Sequence, residues 1–232
     1  MKKLLGGIIF LVASVGAFAG DAAAFVDIGI SSDGKTYIFG EYGRTDDNFQ
    51  GYAEIYTVDI AKNDFVSGGV FKTVPSAATA SKSGRAVYDD LYEKAGWSVR
   101  KYECSPVRPE NLLYIRDERV NDGTEIVFKD FEGSSAEQSV FYHIKLNPTV
   151  EGSGKNIRSS FFITLEKQNE NGEVISKNLV GSPNIKRKGV SSYKIDRIFS
   201  DKSGRNIVFI IEKRVLDDTG TSIRYMVETI RL

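Results

Sequence analysis

The residue types that carry most enzyme chemistry are scarce in this chain. It has one histidine, His143, and one cysteine, Cys104. A serine hydrolase needs a histidine base with the nucleophile on a sharp strand-to-helix elbow. His143 lies in the alternating stretch VFYHIKL and no GxSxG elbow precedes a helix, so it reads as a structural residue on the polar face of a strand. Zinc needs three or four His, Cys or carboxylate ligands at close spacing, more than this pair supplies. No glycine-rich phosphate loop followed by Lys-Ser/Thr is present, so no catalytic, cofactor-binding or metal residue is nominated and no cofactor is expected.

Carboxylates and aromatic rings remain. Asp46-Asp47-Asn48 and Asp217-Asp218 offer oxygens of the kind calcium takes, but both lack the alternating spacing and distal bidentate Glu of a calcium loop and read as turns. A carboxylate pair for glycoside hydrolysis stays open, because such pairs meet only in the fold; none of the 31 acidic residues stands out. Tyrosines concentrate in the first half of the chain. Tyr42, Tyr52, Tyr56 and Trp97 are the candidate ligand-binding residues, since hydroxyls beside stacking rings on a concave face would suit a glycan or a peptide. A lone cysteine excludes an internal disulfide and leaves a buried thiol or intermolecular pairing for Cys104.

These tyrosines sit on strands. Residues 25–43, FVDIGISSDGKTYIFGEYG, form a hairpin across Asp33-Gly34, and residues 52–60 and 65–74 extend it to a four-stranded meander. Val87, Leu91, Ala95 and Val99 then place a helix over residues 84–102, with Gly96 costing about 1 kcal/mol against alanine. Residues 112–120 and 124–131 read as a hairpin across Asn121-Asp122-Gly123. Residues 139–150 form a strand that stops or bulges near Pro148. Residues 159–167 and 173–181 pair across Asn171-Gly172, and residues 181–189 form a loop holding Lys186-Arg187-Lys188, a solvated basic run. Residues 197–213 repeat the grammar of the opening hairpin, and residues 221–232 add a final strand. The two similar hairpins should pair or pack together.

The fold class is mainly β: antiparallel meander sheets, sandwich-like, with one packed helix. The first and last of the glycine turns resemble the strand signature of periplasmic Tol-type propeller repeats, which implies a small or partial propeller as the alternative.

The first residues, MKKLLGGIIFLVASVGAFAG, have the basic start, apolar run and small-residue pattern of a signal peptide cleaved after Ala19. The apolar run is about a dozen residues, short of the roughly twenty that span a bilayer, so residues 20–232 are expected as one β-rich secreted or periplasmic domain that does not span a membrane. The 31 basic and 31 acidic residues, two lysines of which leave with the leader, give no nucleic-acid footprint.

Residues 25–43, 52–71, 180–198 and 223–232, together with the leader, resemble a bacterial family of predicted secreted proteins, domain of unknown function 2259. The resemblance implies export and one shared architecture, and brings no site residues with it. The expected function is a non-catalytic binding or envelope-associated module with a protein or envelope glycan as partner. The alternative is a carbohydrate-active or other hydrolase using a carboxylate pair.

Overall fold

The computed structural model describes residues 20–117, 119, 125–216 and 220–232. The leader, the Asn121-Asp122-Gly123 turn and the Asp217-Asp218 pair lie outside them. The first sheet is an up-and-down meander of β1 (Ala24–Ile30), β2 (Thr36–Arg44), β3 (Gly51–Asp59) and β4 (Asp64–Thr73), followed by the helix α1 (Gly84–Lys101). The period of two in β2 and β3 sends Ile38, Ala53 and Ile55 to one face, where they pack on Val87, Tyr88, Leu91 and Ala95 of α1. Ser83 caps the helix: its hydroxyl oxygen accepts the Ala86 N–H at 3.1 Å, an interaction worth about 1 kcal/mol.

Tyr37, Phe39, Tyr56 and Val58 leave the opposite face and pack on Phe199, Val208 and Ile210 of the second sheet. That sheet combines β5 (Leu112–Ile115) with β10 (Val190–Ser200), β11 (Asn206–Leu216) and β12 (Thr221–Arg231). The third sheet runs β6 (Ile126–Lys129), β7 (Val140–Glu151), β8 (Arg158–Asn169) and β9 (Val174–Lys188) in order. Ile207, Phe209 and Ile211 of β11 face Tyr142, Ile144, Ile163 and Leu165 of this third sheet. The second sheet is therefore covered on both sides, which explains the unbroken apolar run from Ile207 to Ile211. The architecture is mainly β, three antiparallel sheets in layers with one helix on the outer face of the first and no closed barrel.

The meander, the helix and the β8–β9 and β10–β11 hairpins stand where the sequence places them. Three expectations are corrected. The expected hairpin of residues 112–120 with 124–131 is not formed by its described strands: β5 joins β10 in the second sheet and β6 joins β7 in the third. The local turn preference yields here to two separate cores. β7 does not stop at Pro148 but keeps register with β8 through Glu151. Beyond Ile144 no strand among the described residues flanks its other side, and an edge strand is where proline is tolerated. Residues 181–189 are no loop: β9 continues to Lys188, with a register shift between Ser182 and Arg187, opposite Ser159–Phe161, just after Gly181 takes a positive φ. Lys186 and Arg187 accordingly lie on a strand, bridged to Glu151 at 2.6 Å and Glu228 at 3.3 Å.

Candidate functional site

Ion pairs recur through the described residues, and two clusters of ionisable side chains bear on function. The first lies under β2 and β3, where Glu41 and Glu54 stand directly opposite each other in register. Both share the face of Phe39 and Tyr56, turned toward the second sheet. Glu41 is 2% exposed, and its Oε2 accepts the backbone N–H of Tyr225, on edge strand β12, at 2.7 Å. Burial pushes this carboxyl up to about 7, against the opposing pull of Lys213 and of that N–H. Glu54 receives Lys72 Nζ at 3.0 Å and the Tyr56 hydroxyl. Beside them the Arg224 guanidinium lies 4.4 Å over the Tyr52 ring and forks onto both carboxylate oxygens of Asp21. Burial pushes Lys213 below its ordinary value while Glu41 and Glu54 pull it back. The Tyr52 hydroxyl is buried without a hydrogen-bond partner.

A carboxyl tuned near neutrality is a proton donor in readiness, and such groups cluster at functional sites. Access decides whether it can act. Glu41 is sealed between two sheets, and neither it nor Glu54 lines the two open grooves described below.

The second place is open. The turn at residues 31–35, between β1 and β2, meets the turn at residues 201–205, between β10 and β11, and the two are built alike. Ser31 accepts the Thr36 N–H on its hydroxyl at 2.9 Å, and Asp201 accepts the Asn206 N–H on its carboxylate at 3.0 Å. The carbonyl of each first residue accepts the N–H of the turn glycine, Gly34 or Gly204. A serine hydroxyl donates to an aspartate in both, from Ser31 to Asp33 and from Ser203 to Asp201, each at 2.7 Å. These bonds hold Asp33 below the ordinary carboxylate value. Burial pushes Asp201 upward, but the Asn206 N–H and the Ser203 hydroxyl outweigh it and leave the group lowered. Gly34 has φ 70°, and a Cβ there would lie 2.5 Å from Asp201 Oδ2, so only glycine lets the turns touch.

Between these turns and the segment after α1 runs a groove of about 970 Å³. Lys35, Arg108, Lys202, Arg205 and Arg231 line it, with Asp33, Glu110 and Asp201. A second groove of about 590 Å³ lies on the other side of the first turn and shares Ser31, Ser32, Asp33, Lys35 and Arg231 with it.

The four aromatic candidates do not converge. Tyr52 and Tyr56 share the inner face of the first sheet with Glu54 between them; Tyr56 stacks on Phe39 and Phe65 at 4.9 and 5.1 Å. Tyr42 and Trp97 belong to the helix side, Tyr42 against Tyr88 and Trp97 edge-on to Phe71. Trp97 is 48% exposed, and none of the four lines either groove. His143 lies on the outer face of the third sheet, its Nδ1 3.3 Å from Glu125. Cys104 is half-buried against the helix layer, and burial pushes its thiol up to about 12, far from a reactive thiolate. Among the described residues no three His, Cys, Asp or Glu side chains meet as a metal-binding group.

The basic rim of the groove escaped sequence reasoning, although a trace of it is present. Each turn glycine is followed by a cation, Lys35 after Gly34 and Arg205 after Gly204, just ahead of the strand. Glu41 left no trace, because its burial depends on strand β12 nearly two hundred residues away.

Among the described residues no helix is long and apolar enough to cross a membrane. No curated protein and no solved structure matches the chain. A family model does match, over residues 38–231, which takes in most of the first sheet, the helix and the whole of the other two sheets. The chain belongs to that family, the predicted secreted proteins of domain of unknown function 2259.

Proposed function

We propose that this is a non-catalytic exported module, freed from its leader after Ala19, whose ligand face is the groove where the two glycine turns meet. One observation carries the reading. Turns some 170 residues apart in sequence are built on one hydrogen-bonding pattern and meet at an open groove, while the carboxyl tuned near neutrality is shut away from both grooves. Pockets of several hundred Å³ with convergent polar groups are where small ligands and short segments of larger ones bind.

Hydrolysis by a carboxylate pair is the second reading, favoured by the opposed Glu41 and Glu54 and by the raised Glu41. It ranks lower because Glu41 is committed to the Tyr225 N–H and has no route to a substrate.

Photo-crosslinking in the native envelope tests the first reading. A crosslinking residue at Lys202, on the groove, should give discrete adducts to one envelope component. One at Leu179, exposed at 63% on β9, should give none. Equal adducts from both positions, or adducts from Leu179 alone, would remove the groove from consideration.

A further inference from the structure

The chain as a whole has no net charge, with 31 basic and 31 acidic residues, but the groove is not balanced. Its acids are already engaged. Asp33 takes the Ser31 hydroxyl, the Lys35 N–H and, at 3.2 Å, the Lys35 ammonium. Asp201 spends both carboxylate oxygens on its own turn. Glu110 lies 3.7 Å from Arg108. Lys202, Arg205 and Arg231 are exposed, and among the described residues none of the three has an ion-pair partner. Three cations without an ion-pair partner therefore edge a groove whose own lining acids are engaged, although the Glu132 carboxylate lies against Gly204 on the same turn.

The larger groove also offers a neutral sugar little, and the one ring on the smaller groove's lining is Tyr102. No aromatic ring borders the larger groove, and its apolar side chains are Ile30, Pro106 and Val107. Without a stacking platform in the larger groove, a neutral glycan would have little to bind there. Guanidinium groups, in contrast, are forks matched to carboxylate and phosphate oxygens. Because the smaller groove continues past the first turn with Lys35 and Arg231 shared, an elongated ligand can lie along both.

We infer that this trough binds an elongated multivalent oxyanion, a row of phosphate or carboxylate groups, through Lys202, Arg205 and Arg231. The inference rests on the groove being the ligand face and specifies the ligand's chemistry. A free phosphate chain and an acidic glycan are the two sources of such a row.

Isothermal titration of the exported chain with tripolyphosphate, hexagalacturonate and neutral maltohexaose tests it. Binding of tripolyphosphate assigns the free phosphate chain and binding of hexagalacturonate the acidic glycan, and either supports the inference. Affinity should fall as salt rises, since exposed charges are screened. It should weaken about tenfold or more in the triple variant Lys202→Gln, Arg205→Gln, Arg231→Gln. It should be unchanged in Lys94→Gln, Arg100→Gln, Lys145→Gln, which removes the same charge from surfaces outside both grooves. Arg205→Gln alone carries the comparison should the triple variant fail to fold. The inference is overturned if neither anion binds, if maltohexaose binds as well as they do, or if the control triple weakens binding equally. Adducts at Lys202 without anion binding would leave the ligand face standing and remove only the oxyanion.

Discussion

The sealed cluster under β2 and β3 and the open groove between the two turns are made from the same materials, carboxylates and cations, yet their charges do opposite work. In the cluster Arg224 is held by Asp21, Lys72 by Glu54, and Glu41 by the Tyr225 N–H on the edge of β12. Edge strands leave backbone groups unpaired, and Glu41 caps one of them, so the cluster joins the first sheet to the second. In the groove the acids turn inward to shape the turns, and the cations are left facing outward. The raised carboxyl of Glu41 therefore marks structure in this protein, and cations left open to solvent mark the candidate ligand face. The general association of shifted pKa values with function holds only where the shifted group can be reached.

This contrast can be broken by mutation, most forcefully at the cluster. Arg224→Ala leaves the Asp21 carboxylate, 6% exposed at its side chain, without its cation and uncovers the Tyr52 ring. Breaking a buried pair from one side should destabilise the fold by about 4 kcal/mol, measured by urea unfolding. A loss under about 1 kcal/mol would mean the cluster is not structural.

Glu41 gives the next effect, and it has a sign. In the folded protein Glu41 holds its proton up to pH about 7, whereas the unfolded chain releases it near the ordinary carboxylate value. Between those limits the folded state binds more protons, so Glu41's contribution to stability is complete below that range, falls as pH rises through it, and stays lost above. Glu41→Gln keeps an acceptor for the Tyr225 N–H and has no proton to lose. The variant should therefore gain about 3 kcal/mol on the wild type between pH 4 and pH 8. Equal pH slopes for the two proteins would show that Glu41 is not sealed, and loss of a glycan-cleaving activity in the variant would promote the hydrolase reading.

The smallest expected effect is at the groove. Lys202→Ala with Arg205→Ala removes exposed side chains that support nothing, so stability should stay within about 0.5 kcal/mol of wild type. A larger loss would place these cations in the fold and erase the contrast.

Much of the architecture was legible because it is written at short range. Ser83 ahead of the Val87, Leu91, Ala95 stripe announces α1, and Asp33-Gly34 and Asn171-Gly172 announce their hairpins through backbone geometry that glycine permits. The similar hairpins at the two ends of the chain do pack together, Tyr37 against Phe199 at 5.1 Å. Where reading failed, the deciding partner was distant in sequence. β5 and β6 resemble a hairpin locally, but β10 and β7 offer them larger apolar faces.

Local side-chain periodicity and turn chemistry are thus enough to establish a β-rich chain with one amphipathic helix, its poverty in nucleophile–base sets, and its likeness to a secreted family. Which carboxylates are buried, which cations are left without partners and which turns meet depend on how three sheets stack. Burial and pairing are properties of neighbours in space, and a residue such as Glu41 or Arg231 acquires them only when strands far apart in the chain close over it or leave it in the open.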